Sequence, residues 1–147
     1  MTTIFLDSSP LAMIVHRGGT PTVDACKQWF AGHIASGTRI VLPEIADYEV
    51  RRELVRLNIT SSNADLNYCG GVLEYLPIKT GTMRLAAGLW AQARQQGRPT
   101  ADPKEMDGDV VLAAQTLLLD AADAVVATTN VGHLSRSVAA RHWQDVA

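Results

Sequence analysis

Acidic and amide side chains stand at several points of this sequence where an α/β fold would bring polar groups together. They are Asp7, Glu49, Glu53, Asp107, Asp109 and Asn130. Carboxylate and amide oxygens are the ligands that hard cations such as Mg²⁺ and Mn²⁺ prefer. Three or four clustered carboxylates would repel one another unless a cation lay between them. A cation held in this way can activate a water and stabilise charge during phosphodiester hydrolysis.

The first acid, Asp7, directly follows a short apolar run at residues 4–6 that is typical of a buried strand. In an open parallel α/β sheet, ligand sites lie beyond the carboxyl ends of the strands, so Asp7 is expected at that edge. The competing interpretation is structural. Asp7 could instead cap a following helix, with its side chain accepting a hydrogen bond from a free backbone N–H.

Two glutamates lie four residues apart in "PEIADYEVRREL", residues 43–54. Glu49 and Glu53 fall on the same shoulder of the predicted helix, beside its apolar stripe. A carboxylate next to such a stripe is drawn toward the interior, where it needs a partner or a metal. Helical geometry does not choose between them, because either could also pair with Arg52 or Arg56 on a solvated face.

Two aspartates flank a glycine in "MDGDVVLAAQTLLL", residues 106–119, and an asparagine ends the strand-like run "VVATTN". Asp107 could cap the predicted helix and Asp109 could complement its dipole. Capping needs one acid, so the second suggests a further role. Asn130 could be an ordinary turn residue, and it also offers an oxygen ligand or an amide that orients water.

Short β-branched or apolar runs predict strands at residues 4–6, 40–42, 75–78 and 124–128, with a weaker candidate at 142–146. Continuous apolar runs of this length favour parallel strands buried on both faces. Helices are predicted at residues 22–35, 43–58, 61–73, 83–96 and 110–119, and a loop at 97–108. The alternation predicts an α/β fold with a central, mostly parallel sheet flanked by helices. We expect one domain over residues 1–147.

The composition is that of an ordinary globular protein. The chain has 147 residues, 47% of them hydrophobic, and a net charge of −2. This charge gives no sign of an extended basic surface for nucleic acid or membrane, although a local patch remains compatible with it. Cys26 and Cys69 lack the spacing of a zinc or redox motif, so we expect reduced thiols. No leader or membrane span is predicted, and we expect a cytoplasmic protein.

Taken together, these segments resemble a PIN domain, the metal-dependent nuclease fold used by VapC-type toxins of toxin–antitoxin pairs. Residues 5–11, Phe-Leu-Asp-Ser-Ser-Pro-Leu, are similar to the opening strand of that family with its first acid, and "DYEVRREL" to its Glu-bearing helix. "DGDVVLAAQTL" resembles the Asp-x-x-Ile/Leu-Ala-Ala signature, and "VATTNVGHL" the strand ending in Thr-x-Asp/Asn. The resemblance covers essentially the whole chain.

The resemblance implies an acidic triad of Asp7, Glu49 and Asp109, with Asn130 at a fourth position that is often Asp. It thereby favours Glu49 over Glu53. The triad would hold one or two Mg²⁺ or Mn²⁺ ions, and Asp107 would be a further acid near the metal. The candidate substrate-binding residues are Ser8 and Thr129, whose hydroxyl groups can orient water or phosphate, and Arg52, which can hold RNA by its charge.

The implied function is hydrolysis of RNA phosphodiester bonds by the toxin of a toxin–antitoxin pair. The implied partners are RNA and a cognate antitoxin protein. We also expect a homodimer, because exposed apolar residues on the early helices would suit a dimer face. The alternative is a PIN-like binding module or scaffold without hydrolytic activity. Two other α/β classes fit less well. Ser9 stands where a haloacid-dehalogenase-type phosphatase needs a second Asp, and residues 7–12 lack the glycines of a dinucleotide-binding turn.

Overall fold

The structure is a computed structural model that describes the backbone of residues 1–96 and 103–147 and the side chains of residues 1–96 and 107–147. Its strands are β1 (Thr3–Leu6), β2 (Arg39–Pro43), β3 (Glu74–Leu76), β4 (Ala124–Thr128) and β5 (Ala140–His142). Its helices are α1 (Ser8–Val15), α2 (Pro21–Ala35), α3 (Glu44–Arg56), α4 (Thr60–Val72), α5 (Thr80–Gln95), α6 (Pro103–Leu118) and α7 (Val131–Leu134). A short 3₁₀ turn, Trp143–Asp145, follows β5.

The five strands form one sheet in the order β3-β2-β1-β4-β5, and every neighbouring pair is parallel. The central strand is β1, where Phe5 lies opposite Val41 of β2 and Val126 of β4. The chain builds outward from β1 to β2 and β3, then returns to the other side of β1 for β4 and β5. The strand order therefore reverses between β1 and β4, which is where ligands bind in open α/β sheets.

Both faces of the sheet are buried, as the continuous apolar runs predicted. Ile4 and Leu6 of β1 join one core with residues of α1, α2, α3 and α4. Phe5 points to the opposite face, where it packs with Leu112 of α6 and Leu134 of α7. Because successive strand residues alternate between faces, β1 is sandwiched between two helical layers. This burial fixes the position of the residue that follows the strand.

The predicted α/β fold with a parallel sheet is confirmed, and several boundaries are corrected. The last strand is Ala140–His142 instead of residues 142–146, because the apolar residues Trp143 and Val146 are buried from a 3₁₀ turn and its end. The sixth helix begins at Pro103, whereas residues 103–108 were predicted to be loop. Pro is compatible with a first helical turn. The rest of the predicted loop, residues 97–102, lies outside the described residues.

Two further findings concern the general predictions. Cys26 and Cys69 are free and buried, as expected of reduced thiols, and burial raises the pKa of Cys26 to about 11. Within the described residues, no helix combines the length and apolar character that crossing a membrane requires.

Candidate active site

A cavity of about 400 Å³ opens at the carboxyl ends of β1 and β4, where the strand order reverses. Every site residue predicted from the sequence lines this cavity, except Asp107. The residues that line it are Asp7, Ser8, Ser9, Glu49, Arg52, Asp109, Thr129, Asn130 and His133. They come from the end of β1, α1, α3, α6, the segment after β4, and α7. Residues more than a hundred positions apart thus share one polar cavity.

Asp7 is held in place at the end of β1 by two short hydrogen bonds. Its Oδ1 accepts from the backbone N–H of Ser8 at 2.7 Å, which caps α1. Its Oδ2 accepts from the hydroxyl of Thr128, the last residue of β4, also at 2.7 Å. The residue is 8% exposed. The capping interpretation is therefore correct, and the same carboxylate also lines the cavity.

The two glutamates of α3 have different surroundings. Glu49 lines the cavity and its side chain is 25% exposed, whereas the side chain of Glu53 is 55% exposed. Glu53 accepts a hydrogen bond from Arg56 at 2.8 Å and does not line the cavity. Glu49 has a long contact of 3.9 Å with Arg52. Helical geometry left open which of the two glutamates lies near the other acids. In the structure Glu49 faces the other acids and Glu53 faces solvent.

The pKa of Glu49 reflects the burial and the negative charge in this cavity. Its pKa is raised from 4.5 to about 7, first by burial and next by the charge of Asp7. Arg52 opposes the rise, and Asp109 adds to it. Desolvation and like charge both disfavour the ionised carboxyl group. Asp7 and Asp109 are therefore close enough to Glu49 to disfavour its charge, and Arg52 offsets only part of their effect.

The two aspartates of α6 line different cavities. Asp109 lines the polar cavity, while Asp107 is exposed and lines a separate groove between α5 and α6 with Met83 and Trp90. The prediction placed both acids at the start of a helix. Because α6 already begins at Pro103, both lie inside it, and residues two apart on a helix point to different sides. The position of Asp107 thus lends no support to its predicted role near the metal.

Hydrogen bonds tie the segment after β4 to α1. The backbone N–H of Thr129 donates to the hydroxyl of Ser9 at 3.1 Å, and that of Asn130 donates to the hydroxyl of Thr128 at 2.9 Å. Thr128 is fully buried, and through its hydroxyl it links this segment to Asp7. Thr129 and Asn130 are exposed at the rim of the cavity. The rim and the deepest acid therefore form one connected network.

Comparisons with known proteins match this fold to chains in solved structures of VapBC and FitAcB. The VapBC2 complex of Rickettsia felis, bound to a DNA fragment from its promoter, matches with a TM-score of 0.71 and 14% identity over 96% of this chain and 98% of that one. The fold is PIN-like. FitAcB of Neisseria gonorrhoeae matches at 0.68 with 19% identity, covering 97% and 99%. DNA-bound VapBC of Salmonella typhimurium matches at 0.68 with 16% identity and the same coverage.

No protein-family model and no curated protein matches the sequence. At identities of 14 to 19% the structural likeness shows the PIN-like fold alone. The chemistry of the site must therefore be argued from the residues of this chain.

The donor set of the cavity suits a hard divalent cation. Asp7, Glu49 and Asp109 supply carboxylate oxygens, and a cation among them would relieve the repulsion that raises the pKa of Glu49. The three acids line one cavity but are too far apart, as they stand, to surround an ion. Across residues 1–96 and 107–147, no three His, Cys, Asp or Glu side chains form a group that could hold a metal. The three carboxylates therefore fit a divalent cation by the type of their donor atoms.

Ser9 and His133 line the cavity and were not among the predicted site residues. Ser9 follows Ser8 in the first turn of α1, and its hydroxyl is at hydrogen-bonding distance from the strand-end segment. His133 lies on α7, three residues after Asn130, which precedes the helix as its N-cap. A helix of four residues leaves too little periodicity for its side-chain directions to be predicted from the sequence.

Proposed function

We propose that the protein is a metal-dependent endoribonuclease that acts in the cytoplasm as the toxin of a toxin–antitoxin pair. The observation that carries the proposal is the placement of Asp7, Glu49 and Asp109 around one cavity at the reversal point of a PIN-like sheet. The three acids come from three different elements. The rise in the pKa of Glu49 supports a site organised for a cation.

Asp7, Glu49 and Asp109 would hold Mg²⁺ or Mn²⁺. When bound, the ion would supply a water of lowered pKa and compensate the charge that develops on phosphate oxygens. Asp7 is suited to a fixed ligand, since Ser8 and Thr128 already orient both of its oxygens. Asn130 brings an amide to the fourth position, where it can orient water or phosphate but adds no charge.

The substrate side of the site depends on groups at its rim. Arg52 is exposed beside Glu49 and stacks over Tyr48, with its guanidinium carbon 5.3 Å from the ring centre. This position suits contact with an RNA phosphate. Ser8 and Thr129 offer hydroxyl groups in the same cavity. Unpaired RNA is the proposed substrate form, because its backbone and bases are accessible to such a site.

The proposed partners are an antitoxin protein and a second copy of this chain. Two of the matched structures are described as DNA-bound VapBC, and their likeness to this fold supports an antitoxin partner here. A groove of about 590 Å³ adjoins the cavity and shares Glu49 and Arg52 with it. Leu57 and Ile59 line this groove and are 53% and 38% exposed. Exposed apolar surface of this kind supports a protein partner beside the active site.

The test is single-turnover cleavage of a structured RNA pool in Mg²⁺ by the wild type, Glu49→Gln and Glu53→Gln. Glu49→Gln keeps the volume and one carbonyl oxygen but removes a charge that would hold the ion. We expect it to slow cleavage on the order of a hundredfold or more. Glu53→Gln is the matched control on the same helix. It loses only an exposed ion pair, and we expect cleavage at the wild-type rate.

Calorimetric titration with Mn²⁺ provides a second, independent measurement. Binding should weaken strongly in Asp7→Asn and Asp109→Asn, because each loses a ligand charge. Unchanged binding in both variants would remove the proposed metal site. If wild type and all variants fail to cleave RNA while still binding an antitoxin, the binding-module alternative is correct.

A further inference from the structure

Gly108 lies directly before Asp109 on α6, and its missing side chain leaves room for Glu49. A Cβ atom built on Gly108 would lie 2.7 Å from Oε2 of Glu49, 3.1 Å from its Cδ and 3.3 Å from its Oε1. Real Cβ atoms essentially never come within 3.0 Å of a heavy atom outside their own residue, its chain neighbours and the adjoining helix backbone. The carboxylate of Glu49 therefore occupies space that any other residue at position 108 would need.

We propose that Gly108 is a positioning residue, which sets where the Glu49 carboxylate lies relative to Asp109. The inference rests on the proposed function, since it assumes that this carboxylate binds the metal. Glu49 comes from α3 and Asp109 from α6, so their separation depends on how closely the two helices allow side chains to approach. A glycine on the facing side of α6 permits that approach.

Backbone conformation gives no reason for glycine at this position. Gly108 lies inside α6, and among the described glycines a positive φ is found only at Gly37. Alanine would fit the helical backbone of residue 108 and would favour it, because glycine lowers helix stability relative to alanine. The one cost visible in the described part of the chain is the contact with Glu49.

Substitution of Gly108 should move the Glu49 carboxylate and leave the fold intact. The atoms in conflict are at the far end of a flexible side chain that is 25% exposed, so it can yield. Arg52 lies 3.9 Å away and offers the displaced carboxylate an alternative ion-pair partner. A change at position 108 therefore acts on the site through Glu49.

The experiment compares Gly108→Ala with Gly88→Ala, in parallel measurements of thermal unfolding without metal and Mn²⁺ titration by calorimetry. Gly88 is the matched control: it is exposed within α5, and a Cβ there would meet nothing within 4 Å. Both variants should unfold either at the wild-type temperature or about 2 °C above it, because alanine has a higher helix propensity than glycine. Only Gly108→Ala should weaken Mn²⁺ binding, on the order of tenfold.

A double-mutant cycle tests whether the effect passes through Glu49. Glu49→Asp shortens the side chain by one methylene, so it weakens Mn²⁺ binding in the wild type but relieves the conflict with a Cβ at position 108. The two single variants each lose some Mn²⁺-binding free energy. We expect the combined variant Gly108→Ala/Glu49→Asp to lose less than the sum of these two losses. Additive losses would overturn the inference.

The outcomes separate this inference from the proposed function. If the wild type binds Mn²⁺ and cleaves RNA while Gly108→Ala does both equally well, the positioning role is wrong and the nuclease proposal stands. If the wild type binds no Mn²⁺ and cleaves no RNA, the proposed function is overturned and the role of Gly108 with it. A fall in unfolding temperature of Gly108→Ala by several degrees would instead show a packing role and would also contradict the inference.

Discussion

Glu49→Gln should stabilise the metal-free protein at neutral pH, even though it should slow the proposed RNA cleavage. In the folded protein the pKa of Glu49 is about 7, against 4.5 for the unperturbed group. The folded state therefore holds this proton more tightly than the unfolded state does. The stability that the protonated group provides is fully present below about pH 4.5 and is lost as the pH rises through 7.

The size of the effect follows from the pKa difference. A rise from 4.5 to about 7 corresponds to roughly 3 kcal/mol. Glu49 is 25% exposed, so water screens part of the repulsion and we expect about 2 kcal/mol. Glutamine is uncharged at every pH. The variant should equal the wild type in stability near pH 4 and exceed it by about 2 kcal/mol at pH 8.

The assay is urea denaturation followed by circular dichroism in the presence of a chelator, at several pH values between 4 and 8. Glu53→Gln serves as the control, and its free energy of unfolding should stay within about 1 kcal/mol of the wild-type value throughout. Saturating Mn²⁺ should then reverse the order of wild type and Glu49→Gln, because a ligand at 100 times its Kd adds about 2.7 kcal/mol to the state that binds it. A pH-independent difference, or a variant less stable than the wild type at pH 8 without metal, would refute the reasoning.

Three further predictions concern the support of the site and the assembly. Thr128→Val should destabilise the protein by about 2 kcal/mol in urea denaturation, since the carboxylate of Asp7 loses a buried hydrogen-bond donor; an unchanged midpoint would show that water replaces the hydroxyl. Gln115→Leu should cost about 3 kcal/mol in the same assay, because it leaves the N–H of Ile45 and the carbonyl of Leu76 without their buried partner; the exposed Gln92→Leu on α5 is its control. Light scattering at micromolar concentration should give the mass of a homodimer, and a monomer would contradict that part of the proposal.

The central sheet was predictable from the sequence because its strands carry a strong local signal. Ile4, Phe5 and Leu6 form a continuous apolar run, and all three are fully buried. The outer strands were predicted less accurately: β3 ends two residues earlier than expected, and β5 begins two residues and ends four residues earlier. Trp143 and Val146 are apolar and buried although they lie outside the strand. Periodicity reports burial, and burial alone does not distinguish a strand from the turn that follows it.

The site was predictable to the extent that its residues follow strand ends. Asp7 and Asn130 each come directly or nearly so after a buried strand, and both line the cavity. Asp107 was misplaced because the start of α6 was misread by seven residues, a Pro-, Asp- and Gly-rich segment being equally compatible with a loop. Helical periodicity could not choose Glu49 over Glu53, because both occupy the same shoulder of α3. The family resemblance favoured Glu49, and in the structure Glu49 lines the cavity while Glu53 does not.

Asp7 serves the fold and the proposed chemistry with a single carboxylate, and this has a consequence for how such a protein can evolve. Asparagine caps helices about as well as aspartate does, so Asp7→Asn would remove the charge and keep the cap. Under the proposed function, a lineage could thus lose its nuclease activity by one substitution while retaining a folded chain and the proposed partner-binding surface. That descendant would still bind the proposed antitoxin, and its presence in a cell would release active copies from inhibition.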